Sequence, residues 1–508
     1  MDSKIILTIT IILVLGITGS YFVIGTDNAA NSVSSGTDQD GNGSMGSAPP
    51  NGNSSGSAPL NGNGSGSAPP NGNGSQISGG AGPSGDDSAN IVTNGAYVVN
   101  NTANINPFNH ALGEFLRIFG VDWYDISETG RTYTSTQNDQ SAIVVTGNGS
   151  ISIDKAMVIK NEGNTSNADN SNFYGLNAAI LTKTNSTLKL TNSNITTGVE
   201  GANGVFATGN NSKVILDNVG IITTADSSRG LDATYGGTII ANNIKITTNG
   251  AHCAALATDR GGGIVNVTNG VLNTAGDGSP GIYSTGAISA TNTISTATGS
   301  EAAVIEGKNS ITLTNSNITG YKKDGVMIYQ SFSGDASTGE GTFNMTGGSI
   351  LAKTGPIFYL TNTKATINLE NVQLTGNGTL LNASAGSWGN NGSNGANVTL
   401  NTKKQTISGT IDADSISSLT LNILEKSNLT STINSNKTAQ SVNLNLSSDS
   451  TWTVTGNSYL TVLVDNDTNL SNINDNGYTV YYIQSNTENS WLNGKTITLK
   501  DGGKLKPI

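Results

Sequence analysis

From about residue 140 to residue 450 the chain alternates apolar and polar side chains in short runs, and the runs recur. LKLTNSNITT begins at Leu188, VILDNVGIIT at Val214, TIIANNIKITT at Thr238 and VNVTNGVLNT at Val265. AISATNTISTAT follows at Ala287, ITLTNSNITG at Ile311, FNMTGGSILA at Phe343 and INLENVQLTG at Ile367. The copies are spaced by roughly 22 to 31 residues, mostly near 25, the range in which a recurring period signals a solenoid. Val, Ile and Leu at every second place, with Thr, Ser and Asn between them, predict half-buried strands. Each copy holds two such strands around an Asn or Gly turn. A third short run, such as GVFATGNN, GLDATYGG, AALATDRG or GIYSTGAI, lies between copies. Three short strands per turn predict an all-β fold, a parallel β-helix.

Such a coil pairs with its neighbours along the axis at about 4.8 Å, so about 15 coils make a rod on the order of 70 Å long. Small and medium apolar side chains then stack inside in columns, for which Val205, Leu231, Ile282 and Val304 are candidates. Asn and Gly at the corners accept the left-handed conformations that sharp bends need. A β-sandwich is the alternative, but it predicts no such period. Open coil ends expose unpaired edges, so both ends need caps. The solenoid is expected over 141–450, with an N-terminal cap over 91–140 and a C-terminal cap over 451–508. INPFNHALGEFLRIFGVDWYD reads as a short amphipathic helix followed by a strand. At the other end Trp452, Tyr459, Tyr478, Tyr481, Tyr482 and Trp491 gather where the repeat loosens.

Residues 1–24 differ from the rest. No charge occurs from Ile5 to Ile24, and about 20 apolar residues span a bilayer as a helix. The segment reads either as an uncleaved signal anchor, in contact with the membrane through residues 5–24, or as a cleaved signal peptide. Both place the remainder outside the cytoplasm, at the cell surface or in the extracellular space. Residues 25–90 repeat Gly, Ser, Asn and Pro with a ten-residue period and predict a disordered linker.

The spaced TNSNIT turns and the ending WLNGKTITLKDGGKLKP resemble the pectin-lyase-like right-handed parallel β-helix surface proteins, the adhesin-like proteins of bacteria and methanogenic archaea. SSRGLDATYGG, GAHCAALATDRGGG and GVMIYQSFSGDAS share that character. The resemblance covers residues ~95 to 508 by the repeat criterion. It implies a right-handed β-helix on the cell surface. That architecture hosts lyases, hydrolases, binding proteins and inert stalks, so it leaves the activity open.

Charge narrows the field. The 508 residues carry a net charge of −11, and only 12% are Asp, Glu, Lys or Arg. A nucleic-acid partner would need a basic footprint, which is absent from the sequence. One Cys and two separated His exclude a disulfide framework and argue against a zinc site. No resident cofactor is expected. The chain has no sorting motif of the LPxTG type, no outer-membrane barrel pattern, no P-loop and no G-x-S-x-G.

Against that sparse background, Arg229, Asp232, Tyr235, His252, Asp259 and Arg260 crowd two coils. Aligning Thr208, Thr234, Thr258 and Thr285 puts Phe206, Asp232, Leu256 and Tyr283 in one outward column, with Asp259 beside Tyr235. Asp232 and Asp259 then stand roughly 10 Å apart along the strand at 3.3 Å per residue. That is too far to share a calcium ion, so calcium finds no support in the spacing. Read functionally, the group is a glycan groove in which Asp232, Asp259 or His252 acts as acid or base and Arg229 grips an anionic sugar. Read structurally, it is an ion-pair network pinning two coils. Cys253 reads as a small buried residue. A second candidate group is Lys322, Lys323, Tyr329 and Gln330, ahead of a loop-forming SGDASTGEG insertion; Phe332 lies beside it, and Glu306 falls at an apparently inward position. About twenty Asn-X-Ser/Thr sequons, Asn194 and Asn317 among them, are candidate glycosylation sites.

Three functions follow. The first is a cell-surface or secreted adhesin-like rod that binds carbohydrate, cell wall or other cells. The second is a polysaccharide lyase or glycoside hydrolase on the same fold. The third is a structural envelope protein.

Overall fold

The computed structural model describes residues 94–100, 107–120 and 123–508. The apolar segment 5–24 and the linker 25–90 lie outside the described residues. Among the described residues no helix is long and apolar enough to cross a membrane.

The chain winds into a parallel β-solenoid of the right-handed type with about 15 turns. One wall is a twelve-stranded parallel sheet of short strands, running from Asn94–Val99 through Val205–Thr208, Leu231–Thr234, Leu256–Thr258 and Ile282–Ser284 to Thr410–Ala413. The other two walls are made by long strands that turn a corner midway. Thr187–Thr197, Lys213–Thr223, Thr238–Thr248 and Ile264–Thr274 each bend at one asparagine. These are Asn192, Asn218, Asn243 and Asn269, with φ of 50°, 55°, 52° and 56°. A β-branched residue there would clash in the left-handed region, whereas Asn tolerates it. The corner side chains also bond along the axis. Asn218 Nδ2 donates to Asn192 Oδ1 at 2.8 Å, across 26 residues of sequence.

The interior is a stack of columns. Ile151, Leu188, Val214, Ile239, Val265, Ile288, Ile311, Phe343, Ile367, Leu400, Leu421, Leu444 and Leu463 are successive ladder partners, and all are buried. In the short-strand sheet the inward column is Val205, Leu231, Leu256, Ile282 and Ala303. This corrects two expectations. Leu256 faces in, not out. Val304 faces out, because it pairs with Tyr283 while Ala303 takes the inward place. The error is one of register. Thr258 pairs with Ala233, one place short of Thr234, so alignment by threonines slips by one residue. A slip of one turns every side chain to the opposite face.

At the N-terminal end Asn94–Val99 already pairs with Gln140–Val145, and the expected helix runs over Pro107–Ile118. Its Phe108, Phe115 and Ile118 stay exposed. At the C-terminal end coils continue through Val462–Asp465. The 3₁₀ helix Thr487–Leu492 and the antiparallel pair Ile497–Thr498 with Lys504–Pro507 follow. Trp452, Tyr482 and Leu492 are buried there, and Trp491 Nε1 donates to the Leu463 carbonyl at 3.0 Å.

The long column carries a direct expectation. Ile239→Ala removes a buried side chain that its flanking coils cannot close over, and should cost about 2–5 kcal/mol in urea unfolding. A cost below ~1 kcal/mol would mean the column is not tightly packed.

Candidate functional site

Alternate residues of the short-strand sheet point away from the core, and in the middle of the sheet they are not exposed to solvent. Two segments cover them. The first is residues 161–178, which contain the helix Ala168–Tyr174. Asn167 caps the helix start by accepting from the Asn170 N–H at 2.8 Å. Gly175 ends it at φ 74°, where a Cβ would fall 2.7 Å from both Phe206 and Leu181. Only glycine lets the segment descend onto the sheet at that point. The second covering segment is residues 331–337, part of the insertion that lengthens one coil.

Each segment seals a small apolar cluster. Val144, Ala178, Leu181 and Phe206 lie under the first. Val304, Met327 and Tyr329 lie near the second, with Tyr283, Tyr359 and Trp388 against them. Between these clusters sits a buried polar group built around Arg229, Asp232 and Asp259. Arg229 Nη2 lies 2.9 Å from Asp259 Oδ2, and Nε lies 3.5 Å from Asp232 Oδ2. Arg229 Nη1 donates to Asn172 Oδ1 of the covering helix at 2.7 Å. The two acids share one guanidinium; the expected 10 Å separation does not hold. The corrected register explains this: with Asp232 opposite Ala257 and Ala233 opposite Thr258, Asp259 falls beside Thr234 on the same outward face.

Asp232 is 0% exposed and Asp259 4%. Burial raises the Asp232 carboxyl well above the usual range, and the neighbouring Asp259 raises it further. Burial likewise pushes Asp259 up to about 6; Arg229 opposes this, while Asp335 and Glu306 reinforce it. Burial thus favours the protonated form of both carboxyls, and Arg229, which both of them face, opposes it.

Arg260 joins the two covering segments. Its guanidinium lies 3.8 Å from the centre of the Phe173 ring in the first. Its Nε and Nη2 both donate to Asp335 Oδ1 in the second, at 3.0 and 2.7 Å. Tyr235 stacks on Tyr174 with ring centres 5.3 Å apart. Glu306 is also on the outward face and fully buried, which corrects its inward assignment. Its Oε2 accepts from Tyr283 (2.6 Å) and Tyr329 (2.9 Å), and its Oε1 from Ser331 and from Ser333 (3.3 Å).

The remaining candidates lie elsewhere or are enclosed. His252 stands at a corner with φ 57°, its N–H donating to the Asp277 carbonyl at 3.0 Å. The ladder sets it level with Ser227, two residues before Arg229, and none of the cluster's ion pairs or hydrogen bonds described above involves it. Tyr329 is 0% exposed and so presents no face to a ligand. Gln330 Nε2 folds the insertion by donating to the carbonyls of Ser331 and Ala336 at 3.3 and 3.4 Å. Lys323 lies 3.6 Å from Glu301, and Lys322 and Phe332 are exposed. Among the described residues no group of three or more His, Cys, Asp or Glu side chains is arranged to hold a metal ion.

No protein-family model matches the chain, and no curated protein matches it.

Several participants escaped the sequence reading, among them Asn172, Phe173, Tyr174, Asp335, and Tyr283 as a donor to Glu306. Asn172 lies 57 residues from Arg229 and Asp335 lies 75 from Arg260. Both belong to segments that interrupt the repeat. The interruptions of the repeat were the available signal; which strands they cover is decided by the winding.

Cys253 is buried, with the Ser228 N–H donating to Sγ at 3.0 Å and Sγ donating to the Ala251 and Ala225 carbonyls at 3.1 and 3.2 Å. Ser279 occupies the equivalent place one coil on and receives the Cys253 N–H on its hydroxyl. Burial pushes the thiol up to about 11. The native thiol should resist a thiol reagent at pH 8 and react on unfolding, and rapid native labelling would refute this.

The shared charge gives a non-additive expectation. Asp232→Asn and Asp259→Asn should each cost no more than about 1.5 kcal/mol, because the remaining acid takes the charge. The double variant leaves Arg229 buried and unpaired and should cost about 3–5 kcal/mol. The sign with pH follows from the raised values. Folded Asp259 keeps up to about pH 6 a proton that the unfolded chain releases near pH 4, so its contribution falls as pH rises from about 4 to about 6. Denaturant titrations at pH 4.5 and 7 should show the wild type losing more stability over that interval than Asp259→Asn.

Proposed function

We propose that the chain is an adhesin-like β-helix protein of the cell surface or the secreted space, which binds carbohydrate on the covered face of the short-strand sheet and does not cleave it. One observation carries the reading. The two long covering segments, the charged cluster and the outer aromatic cluster all lie on the outside of a single wall of the solenoid. A rod that served only to extend would have no use for such concentration on one wall, and loops on rigid scaffolds are where binding resides.

The lyase or hydrolase reading fares worse. Acid–base chemistry on a polymer needs a carboxyl within hydrogen-bond reach of the scissile bond. Asp232 and Asp259 are sealed beneath the helix Ala168–Tyr174 and locked on Arg229, with no route for a polysaccharide chain. The apolar run 5–24 supports delivery outside the cytoplasm, as anchor or as leader. The likeness to adhesin-like β-helix proteins supports the same assignment.

Incubating the full chain with neutral and acidic polysaccharides, with and without calcium, and following polymer size and co-elution by gel filtration tests this. Co-elution without shortening is expected. Shortening of any polymer would establish an enzyme. No effect on any polymer would leave a structural envelope rod.

A further inference from the structure

We propose that the cleft between the helix Ala168–Tyr174 and the turn at Glu200–Gly201 is a saccharide subsite that takes a neutral sugar ring, with Asn172 as its oriented donor. The inference rests on the carbohydrate-binding reading above and names the place and the ligand class.

The cleft holds about 330 Å³ and is lined by Asn164, Thr165, Ser171, Asn172, Glu200 and Ser227. That volume is at the small end of ligand pockets and suits one or two rings rather than a long chain. Its walls are tied together. Thr165 Oγ1 donates to the Glu200 carbonyl at 2.6 Å, and Ser171 Oγ donates to the Gly201 carbonyl. Asn177 Nδ2 donates to Thr165 Oγ1 at 2.9 Å from below. A cleft held open by its own hydrogen bonds loses little entropy when a ligand enters.

Asn172 supplies the specific feature. It is 3% exposed and lines the cleft. A guanidinium has donors only, so Arg229 can bind Asn172 solely through the amide oxygen. This leaves Nδ2, a double donor, as the polar atom that Asn172 offers to the cleft. Arg229 is itself fixed by Asp259 and Asp232. The cluster that the sequence marked as a catalytic or gripping group thus acts one layer back, as a positioning device for Asn172.

The lining also selects the ligand class. No cationic side chain is part of it, and Arg229, which binds the lining residue Asn172, is already engaged by two carboxylates and an amide. The Glu200 carboxylate repels an anion and accepts from hydroxyls. The Asn172 amide donor, the Ser227 hydroxyl and the Glu200 carboxylate together match a neutral polyol, and oppose a uronic acid or a sulfated sugar. The anionic sugar expected for Arg229 is therefore replaced by a neutral one.

The test uses the full-length protein in detergent, with biolayer interferometry against immobilised mannan, β-glucan and galactan as neutral probes and polygalacturonate and alginate as acidic ones. Binding to at least one neutral probe is expected. Glu200→Ala and Ser227→Ala, both outside the buried cluster, should weaken it at least fivefold each with unchanged thermal unfolding. Asn172→Ala should weaken it tenfold or more. Neutral binding unaffected by the Glu200 and Ser227 variants would overturn the cleft and leave the adhesin reading standing. Binding to acidic probes alone would overturn the ligand class. No binding to any probe would overturn the carbohydrate reading and the cleft with it.

Discussion

The parallel hydrogen-bond ladder between successive coils is the constraint on which everything else in this protein depends. Because each strand pairs only with the strands one turn before and after, side chains of like position fall into columns about 4.8 Å apart. A column must then be uniform in kind. The interior column from Ile151 to Leu463 is aliphatic but for Phe343, and the corner row from Asn192 to Asn269 is asparagine throughout. The low charge and scarce aromatics of the sequence are consequences of this packing. A narrow interior has room for Val, Ile and Leu, and bent corners favour Asn and Gly.

The same ladder decides what happens when a charge enters a coil. Asp232 and Asp259 sit on adjacent strands, so their carboxyls are brought together by register rather than by mutual preference. Burying both would be prohibitive as two anions. Arg229, which both carboxyls face and whose remaining nitrogen donates to the Asn172 amide oxygen, relieves that cost. A pair of this kind is weak evidence for stability, since desolvation offsets most of the Coulomb gain, but it fixes geometry strongly. Here the geometry it fixes is that of the covering helix. Arg260 does the equivalent for the second segment, with one face on Phe173 and two donors on Asp335. The two interruptions of the repeat are thereby coupled to each other through a single side chain.

The arrangement separates two layers that the sequence merges. Charged residues crowded on two coils look like a reaction centre. In three dimensions they form a buried layer beneath a polar cleft whose walls come from residues of ordinary appearance, Asn164, Thr165, Ser171 and Ser227. In the proposed reading, binding and positioning belong to different layers, and the conspicuous layer is the inner one.

What the sequence determined by itself was the period, and with it the strands, the corners, the all-β solenoid and the burial of Cys253. Those properties are local or repeat once per coil, so a single chain displays each of them many times over. It also located the cluster Arg229, Asp232, Asp259 and Arg260, because charge is rare enough here to stand out. It did not determine the register within the short-strand sheet. Coils differ in length by a residue, threonines fall on both faces, and a slip of one at Thr258 moved Asp259 away from Asp232 and turned Leu256 outward. Only the tertiary structure decided which partners close the cluster. Asn172 and Asp335 reach it across 57 and 75 residues, from segments whose composition resembles any surface loop. Their contribution depends on where the winding sets them down, and no pattern along the chain records that.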